Sequence, residues 1–218
     1  MTCFMLNGNR ISLLFGLPGA GKTTTLAKAL PLLPNLVRLS GGSLIAGKLS
    51  AADRDRLRKL CADEILTNQE KLVLNFHSAL KQMNGIHVVF DGHCLVKNGT
   101  RIVEIPLSVI TRLCPDKIIF FDVPPEMIVE RRMTDRSRPD REVETVVELT
   151  TIRRRQLELC SQYAVDIDIP LEIAGNENQL IRALGDDDSS SKLESLTVCC
   201  SQQSATPKVE KLSGENGS

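Results

Sequence analysis

Three observations in this sequence predict an α/β fold built on a parallel sheet. Five short apolar runs recur along the chain, at Ile11–Phe15, Leu36–Leu39, Ile86–Phe90, Ile118–Val123 and Leu171–Ala174. Longer stretches with helical spacing separate them. The first run leads directly into Gly16-Leu17-Pro18-Gly19-Ala20-Gly21-Lys22-Thr23, which fits the pattern G-x-x-x-x-G-K-[ST]. Strands that are apolar throughout, instead of alternating, are buried on both faces, as in a parallel sheet covered by helices.

Taken in order, the run Ile11–Phe15 is the first strand. A helix follows the glycine-rich loop from Lys22 to about Leu30, where Pro31 ends it. After Asp53, the residues Leu57, Cys61, Ile65, Asn68, Leu72, Phe76, Ala79 and Met83 recur every three or four positions and form one helical face, interrupted only by Asn68. A further helix runs from Pro124 towards Met133. A long one, from about Glu142 to Tyr163, places Val146, Leu149, Ile152, Leu159 and Tyr163 on one side. Composition changes after Leu184. Residues 186–218 open with Asp186-Asp187-Asp188-Ser189-Ser190-Ser191 and stay polar. Such a segment buries too little apolar surface to offset its ordering entropy, so it reads as a disordered acidic, Ser-rich tail behind a domain at 1–185.

The bulk properties narrow the function classes. At 218 residues the chain holds one substantial domain. Its formal net charge is zero, so no global basic field recruits nucleic acid or an anionic membrane, and neither is an expected partner. The N-terminus lacks the basic start and apolar run of a signal peptide. No stretch approaches the roughly 18 apolar residues that span a bilayer, so the expected location is the cytoplasm. Seven cysteines with irregular spacing form no C-x-x-C pair and read as small thiols in a reducing compartment.

The glycine-rich loop carries the sharpest chemistry. Backbone N–H groups can wrap a phosphate chain only where side chains do not obstruct them. The helix that begins at Lys22 aims its N-terminal dipole at the same anion. The expected ATP-binding set is Gly16, Gly19, Ala20, Gly21, Lys22, Thr23 and Thr24, with Lys22 reaching the β- and γ-phosphates and the Thr23 hydroxyl on Mg²⁺. Two aspartates end apolar strands. Asp91 precedes the turn Gly92-His93, which leaves room for a ligand, and is the preferred second Mg²⁺ partner. Asp122, before Val123-Pro124-Pro125, is expected to cap or orient the next helix. His93 is either a substrate contact or a hydrogen-bonded structural histidine.

Arginines concentrate in two places. Arg131, Arg132, Arg136, Arg138, Arg141 and Arg153–Arg155 lie close together, and residues 134–141 read as a short lid between two helices. Planar guanidinium forks suit the oxygens of a phosphoryl group in transfer, and a closing loop that carries them expels water. A solvated face paired with Glu142, Glu144 and Glu148 is the plainer alternative. The second cluster, Asp53-Arg54-Asp55-Arg56-Leu57-Arg58-Lys59, opens the helix on the acceptor side, where Arg54 is the candidate clamp for an acceptor phosphate.

Four segments then occur in one order: Gly16 to Thr24, Asp53 to Leu60, Val88-Val89-Phe90-Asp91-Gly92-His93, and Arg131 to Arg138. With this ordered set the chain resembles the archaeal-type adenylate kinases over about residues 9–185. The resemblance implies a P-loop nucleotide-kinase fold with a five-stranded parallel sheet, acceptor-side helices over about 43–83 and a very short lid. It implies the reaction ATP + AMP = 2 ADP with Mg²⁺, Arg54 at the AMP phosphate, and Arg132, Arg136 and Arg138 around the transferring group. Asp91 and His93 then belong to the substrate side. A homo-oligomer, a trimer in many family members, is the implied assembly. Ser40-Gly41-Gly42-Ser43 departs from the Gly-Thr dipeptide usual there. The residues themselves leave two alternatives: a P-loop kinase with a hydroxyl acceptor, and a nucleotide-sensing regulatory ATPase.

Overall fold

The computed structural model describes residues 8–46, 62–98, 101–134 and 144–185. All belong to one compact unit that ends at Gly185. Its strands are β1 (Arg10–Phe15), β2 (Leu36–Ser40), β3 (His87–Asp91), β4 (Leu95–Asn98), β5 (Arg101–Glu104), β6 (Lys117–Phe121) and β7 (Leu171–Ala174). Its α-helices are α1 (Lys22–Ala29), α2 (Gly41–Ala46), α3 (Ala62–Leu80), α4 (Leu107–Arg112), α5 (Pro125–Thr134), α6 (Val146–Asp166) and α7 (Glu177–Gly185). The expected five-stranded parallel sheet is present, in the order β2-β3-β1-β6-β7.

Both faces of the sheet are covered, as all-apolar strands require. β1 sends Ile11, Leu13 and Phe15 to one core, where they meet Leu72, Phe76 and Leu80 of α3 and Leu159 and Tyr163 of α6. It sends Leu14 to the other core, with Leu26 of α1, Ile128 of α5 and Leu180 of α7. Parallel register aligns Leu14 with Asp91, and Asp91 in turn with Ser40. The carboxyl ends of the central strands therefore share one edge, where ligands of such sheets bind.

The helices refine the predicted faces. α1 stops at Ala29 and tightens into a 3₁₀ turn at Leu30–Leu32 that contains Pro31. In α3 the buried positions are Ile65, Gln69, Leu72, Val73, Phe76 and Leu80, whereas Asn68 and Ala79 are only half-buried. The buried stripe is thus rotated slightly from the predicted one, and the interruption at Asn68 falls at its margin. The Phe76 ring meets Phe90 edge to face, with centroids 5.7 Å apart. α6 begins with a capping box, Thr145 and Glu148 each closing the other's backbone N–H. That box holds the Glu148 carboxyl below its ordinary pKa, chiefly through the Thr145 backbone hydrogen bond.

Four elements stand outside the predicted set: β4, β5, α4 and α7. β4 and β5 form an antiparallel hairpin with Leu95 opposite Glu104, and α4 follows it. The Tyr163 hydroxyl donates to Ile105 O at the end of the hairpin, and burial pushes this phenol's pKa up. Cys94 and Cys160 are free, fully buried thiols with their sulfurs 3.8 Å apart. Cys114 is disulfide-bonded, which departs from the all-thiol expectation, because proximity in the fold is invisible in irregular spacing. Among the described residues, no helix is long and apolar enough to cross a membrane.

Candidate functional site

The loop between β1 and α1 is shaped by close backbone approach. Gly16 has φ 142°, and a Cβ there would lie 2.5 Å from Phe121 O at the end of β6. Any side chain would force β1 and β6 apart, so glycine is required. Gly21, with φ 94°, is the left-handed residue that opens α1, and no side chain caps that helix. Its first-turn N–H groups are thereby left for an anion. Lys22 is buried, and its Nζ donates to Gly16 O at 2.7 Å and to Leu17 O at 3.2 Å. The ammonium thus lies folded over the loop it is expected to serve.

At the mouth of the loop three side chains from three elements converge. The Thr23 hydroxyl in α1 donates to Asp91 Oδ2 at 3.3 Å. Arg38 in β2 donates to the same Asp91 oxygen from Nε at 3.1 Å and Nη2 at 2.6 Å. Its Nη2 also lies 3.2 Å from Thr23 Oγ1. The two residues predicted to hold Mg²⁺ are therefore together. Arg38, absent from the predicted site, completes the cluster. Its only sequence signal was a charge inside the apolar run Leu36–Leu39.

The arginines of α5 brace the loop from its other side. Arg131 Nη1 donates to Ala20 O at 2.8 Å, and Arg132 Nη2 donates to Pro18 O at 2.6 Å. Arg132 also donates from Nη1 to Glu144, just before the capping box of α6. Its side chain is 3% exposed and its Nε lacks a hydrogen-bond partner. Expected beside the transferring phosphoryl, Arg132 has its guanidinium on the loop backbone and on Glu144. Glu144 is shared with Lys97 of β4 at 3.6 Å. Leu17, Pro18, Leu95, Ile102, Leu149 and Ile152 wall a small recess of about 30 Å³, whose lining includes Lys97, Glu144 and Gln156. Gln156 is 1% exposed and its Oε1 has no partner, a polar group that the apolar face predicted for α6 did not include.

Other expectations divide. Gly92 does not open space for a ligand: a Cβ there would lie 2.3 Å from the Phe90 ring, which fills that volume. His93 is exposed in the turn after β3. Asp122 does not cap α5. It receives Nε and Nη2 of Arg153 from α6, and its own N–H donates to Ala174 O. The hydrogen bond to Asp122 raises the Arg153 pKa above its ordinary value. Arg54, Arg136 and Arg138, the lid beyond Thr134 and the 186–218 tail lie outside the described residues.

A parallel sheet with a glycine loop between its first strand and helix, and a strand-end carboxylate beside that loop, defines a P-loop kinase domain. Residues 15–148 match the model of the AAA domain family, and the chain belongs to that family. It is 29% identical over 182 residues to the adenylate kinase of Methanoculleus marisnigri, covering 79% of this chain and 92% of that protein. It is 24% identical over 178 residues to the adenylate kinase of Methanothermobacter thermautotrophicus, covering 80% and 94%. A solved shikimate kinase from Bacteroides thetaiotaomicron aligns with TM-score 0.47 and 17% identity over 87% of this chain and 98% of that one. The expected resemblance to the archaeal-type adenylate kinases holds, and the chain is a phosphotransferase.

Proposed function

We propose that the chain is a nucleoside monophosphate kinase, specifically an adenylate kinase, that moves the γ-phosphoryl of ATP to AMP and yields two ADP. The observation that carries this reading is the likeness to archaeal proteins named adenylate kinase over 92% and 94% of their length. In it, the loop N–H groups from Gly16 to Thr24 cradle the ATP phosphates. Lys22 leaves Gly16 O and Leu17 O to meet the β- and γ-oxygens. The acceptor is an ionised phosphate oxygen, so alignment and charge stabilisation replace a general base.

Magnesium fits the donor set. Thr23 Oγ1 and Asp91 Oδ2 are hard oxygens already 3.3 Å apart, and such a pair suits an ion that keeps most of its water. Bound there with ATP, Mg²⁺ neutralises charge on the β- and γ-oxygens. Arg54 holds the acceptor phosphate, His93 lies on the substrate side, and Arg136 and Arg138 approach from the lid. Arg132 sets the loop conformation through Pro18 O. This domain occupies 1–185, in the cytoplasm, and the 186–218 tail takes no part in catalysis.

A hydroxyl acceptor is disfavoured by Asp91. Its Oδ2 is engaged by Thr23 and Arg38 at the mouth of the loop, and in this reading it is committed to the magnesium ion, which leaves a hydroxyl acceptor without a base there. The test is ADP formation from Mg²⁺ and ATP with AMP, CMP, UMP, GMP or no acceptor. Strong stimulation by AMP alone is expected. Equal rates with and without every monophosphate would transfer the assignment to a hydroxyl kinase or a regulatory ATPase.

A further inference from the structure

β2 holds its one charge, Arg38, in a place where the sheet geometry gives it a use. Side chains alternate along a strand, so Arg38 and Ser40 share a face, and Ser40 is the residue in register with Asp91. The residue opposite Arg38 is Val89, which packs in the core beneath α1. The arginine therefore runs forward along the α1 side of the sheet and reaches both Asp91 and Thr23. Its side chain is 29% exposed, against 9% for Asp91.

Resting on the nucleotide-kinase reading above, we propose that Arg38 is a resident counter-cation of the magnesium subsite, exchanged for the metal when Mg²⁺ and ATP bind. The guanidinium takes Asp91 Oδ2 through two N–H groups and stands 3.2 Å from Thr23 Oγ1. These are the two oxygens that fit Mg²⁺, and two cations cannot share them without strong repulsion. While the metal is away, Arg38 keeps a carboxylate that is nine-tenths buried from standing uncompensated beside incoming phosphates. When the metal arrives, the half-buried arginine swings out along its flexible stem. Asp91 is thus pre-positioned in the absence of metal, and the chain needs more free Mg²⁺ than one lacking the arginine.

The test measures binding of a non-hydrolysable ATP analogue by calorimetry across a magnesium series, with no acceptor and no turnover. Two variants are compared with the wild type. In Arg38→Met, the magnesium concentration giving half-maximal tightening of the analogue should fall about tenfold, while metal-free affinity should weaken about tenfold, since a nearby charge has been removed. Arg38→Lys keeps the charge and should stay near wild type in both readouts. A merely structural arginine would not shift the two in opposite senses. Superposable magnesium curves for wild type and Arg38→Met overturn the proposal. So does loss of analogue binding by both variants at every magnesium concentration. If the opposite shifts occur but no monophosphate stimulates ADP formation, the acceptor assignment fails and the Arg38 exchange stands.

Discussion

Asp91 and Asp122 flank β1, one at the end of β3 and the other just past the end of β6, and each is held by an arginine. Asp91 is met by Arg38 from the edge strand β2, and both share Thr23 with the glycine loop. Asp122 is met by Arg153 from the 21-residue α6, and its backbone N–H is tied to β7. Both carboxylates follow apolar strands, so their sequence contexts are alike. What separates them is the partner. The carboxylate beside the first turn of α1 stands at the mouth of the glycine loop, whereas the one claimed by α6 fastens a helix to the sheet. The arginine that reaches a strand-end aspartate, more than the strand itself, separates the proposed magnesium site from an architectural tie.

The comparison can be broken or sharpened by substitution. The largest effect is expected for Lys22→Ala, which removes the cation proposed to meet the β- and γ-phosphates. Its kcat/KM should fall by roughly a factor of 10³, with an unchanged circular dichroism spectrum. Asp91→Ala should lower kcat by about 10²-fold and raise the magnesium requirement, as expected of a residue at the ion. Asp122→Ala should do the opposite. Its rate should stay within about tenfold of wild type, while the lost charge-assisted hydrogen bonds cost about 1–2 kcal/mol. For a domain of this size, thermal unfolding should then shift down by roughly 2–8 °C. Equal rate losses for Asp91→Ala and Asp122→Ala would abolish the distinction. The smallest effect is expected from truncation after Gly185: kcat and KM for ATP should be unchanged, and a marked loss would bring the tail into the site.

Much of this architecture was legible in the chain because its signals are local. Leu171–Ala174 agrees with β7 residue for residue, and Ile11–Phe15 falls one residue short of β1. Lys22 begins α1 because the glycine pattern encodes the turn before it. The hairpin of β4 and β5 was missed although Asn98-Gly99, between Leu95-Val96 and Ile102-Val103, is a strong hairpin signature. Gln156 was missed for a different reason: a buried amide inside an apolar helical face has no periodic signal of its own.

By itself, the sequence determined the strand order along the chain, the phosphate loop, and the carboxylate at the end of β3, since each depends on residues adjacent in the chain or on a short period. Only the tertiary structure decided how the charges pair. Arg38 lies 53 positions from Asp91, Arg132 lies 114 from Pro18, and Arg153 lies 31 from Asp122. An arginine fork binds whichever carboxylate or carbonyl the folded backbone brings within reach, and no local pattern encodes that distance. Arg132 was thus predictable as a cation near phosphate chemistry, while its attachment to the loop carbonyl at Pro18 followed from the packing of α5 against the loop.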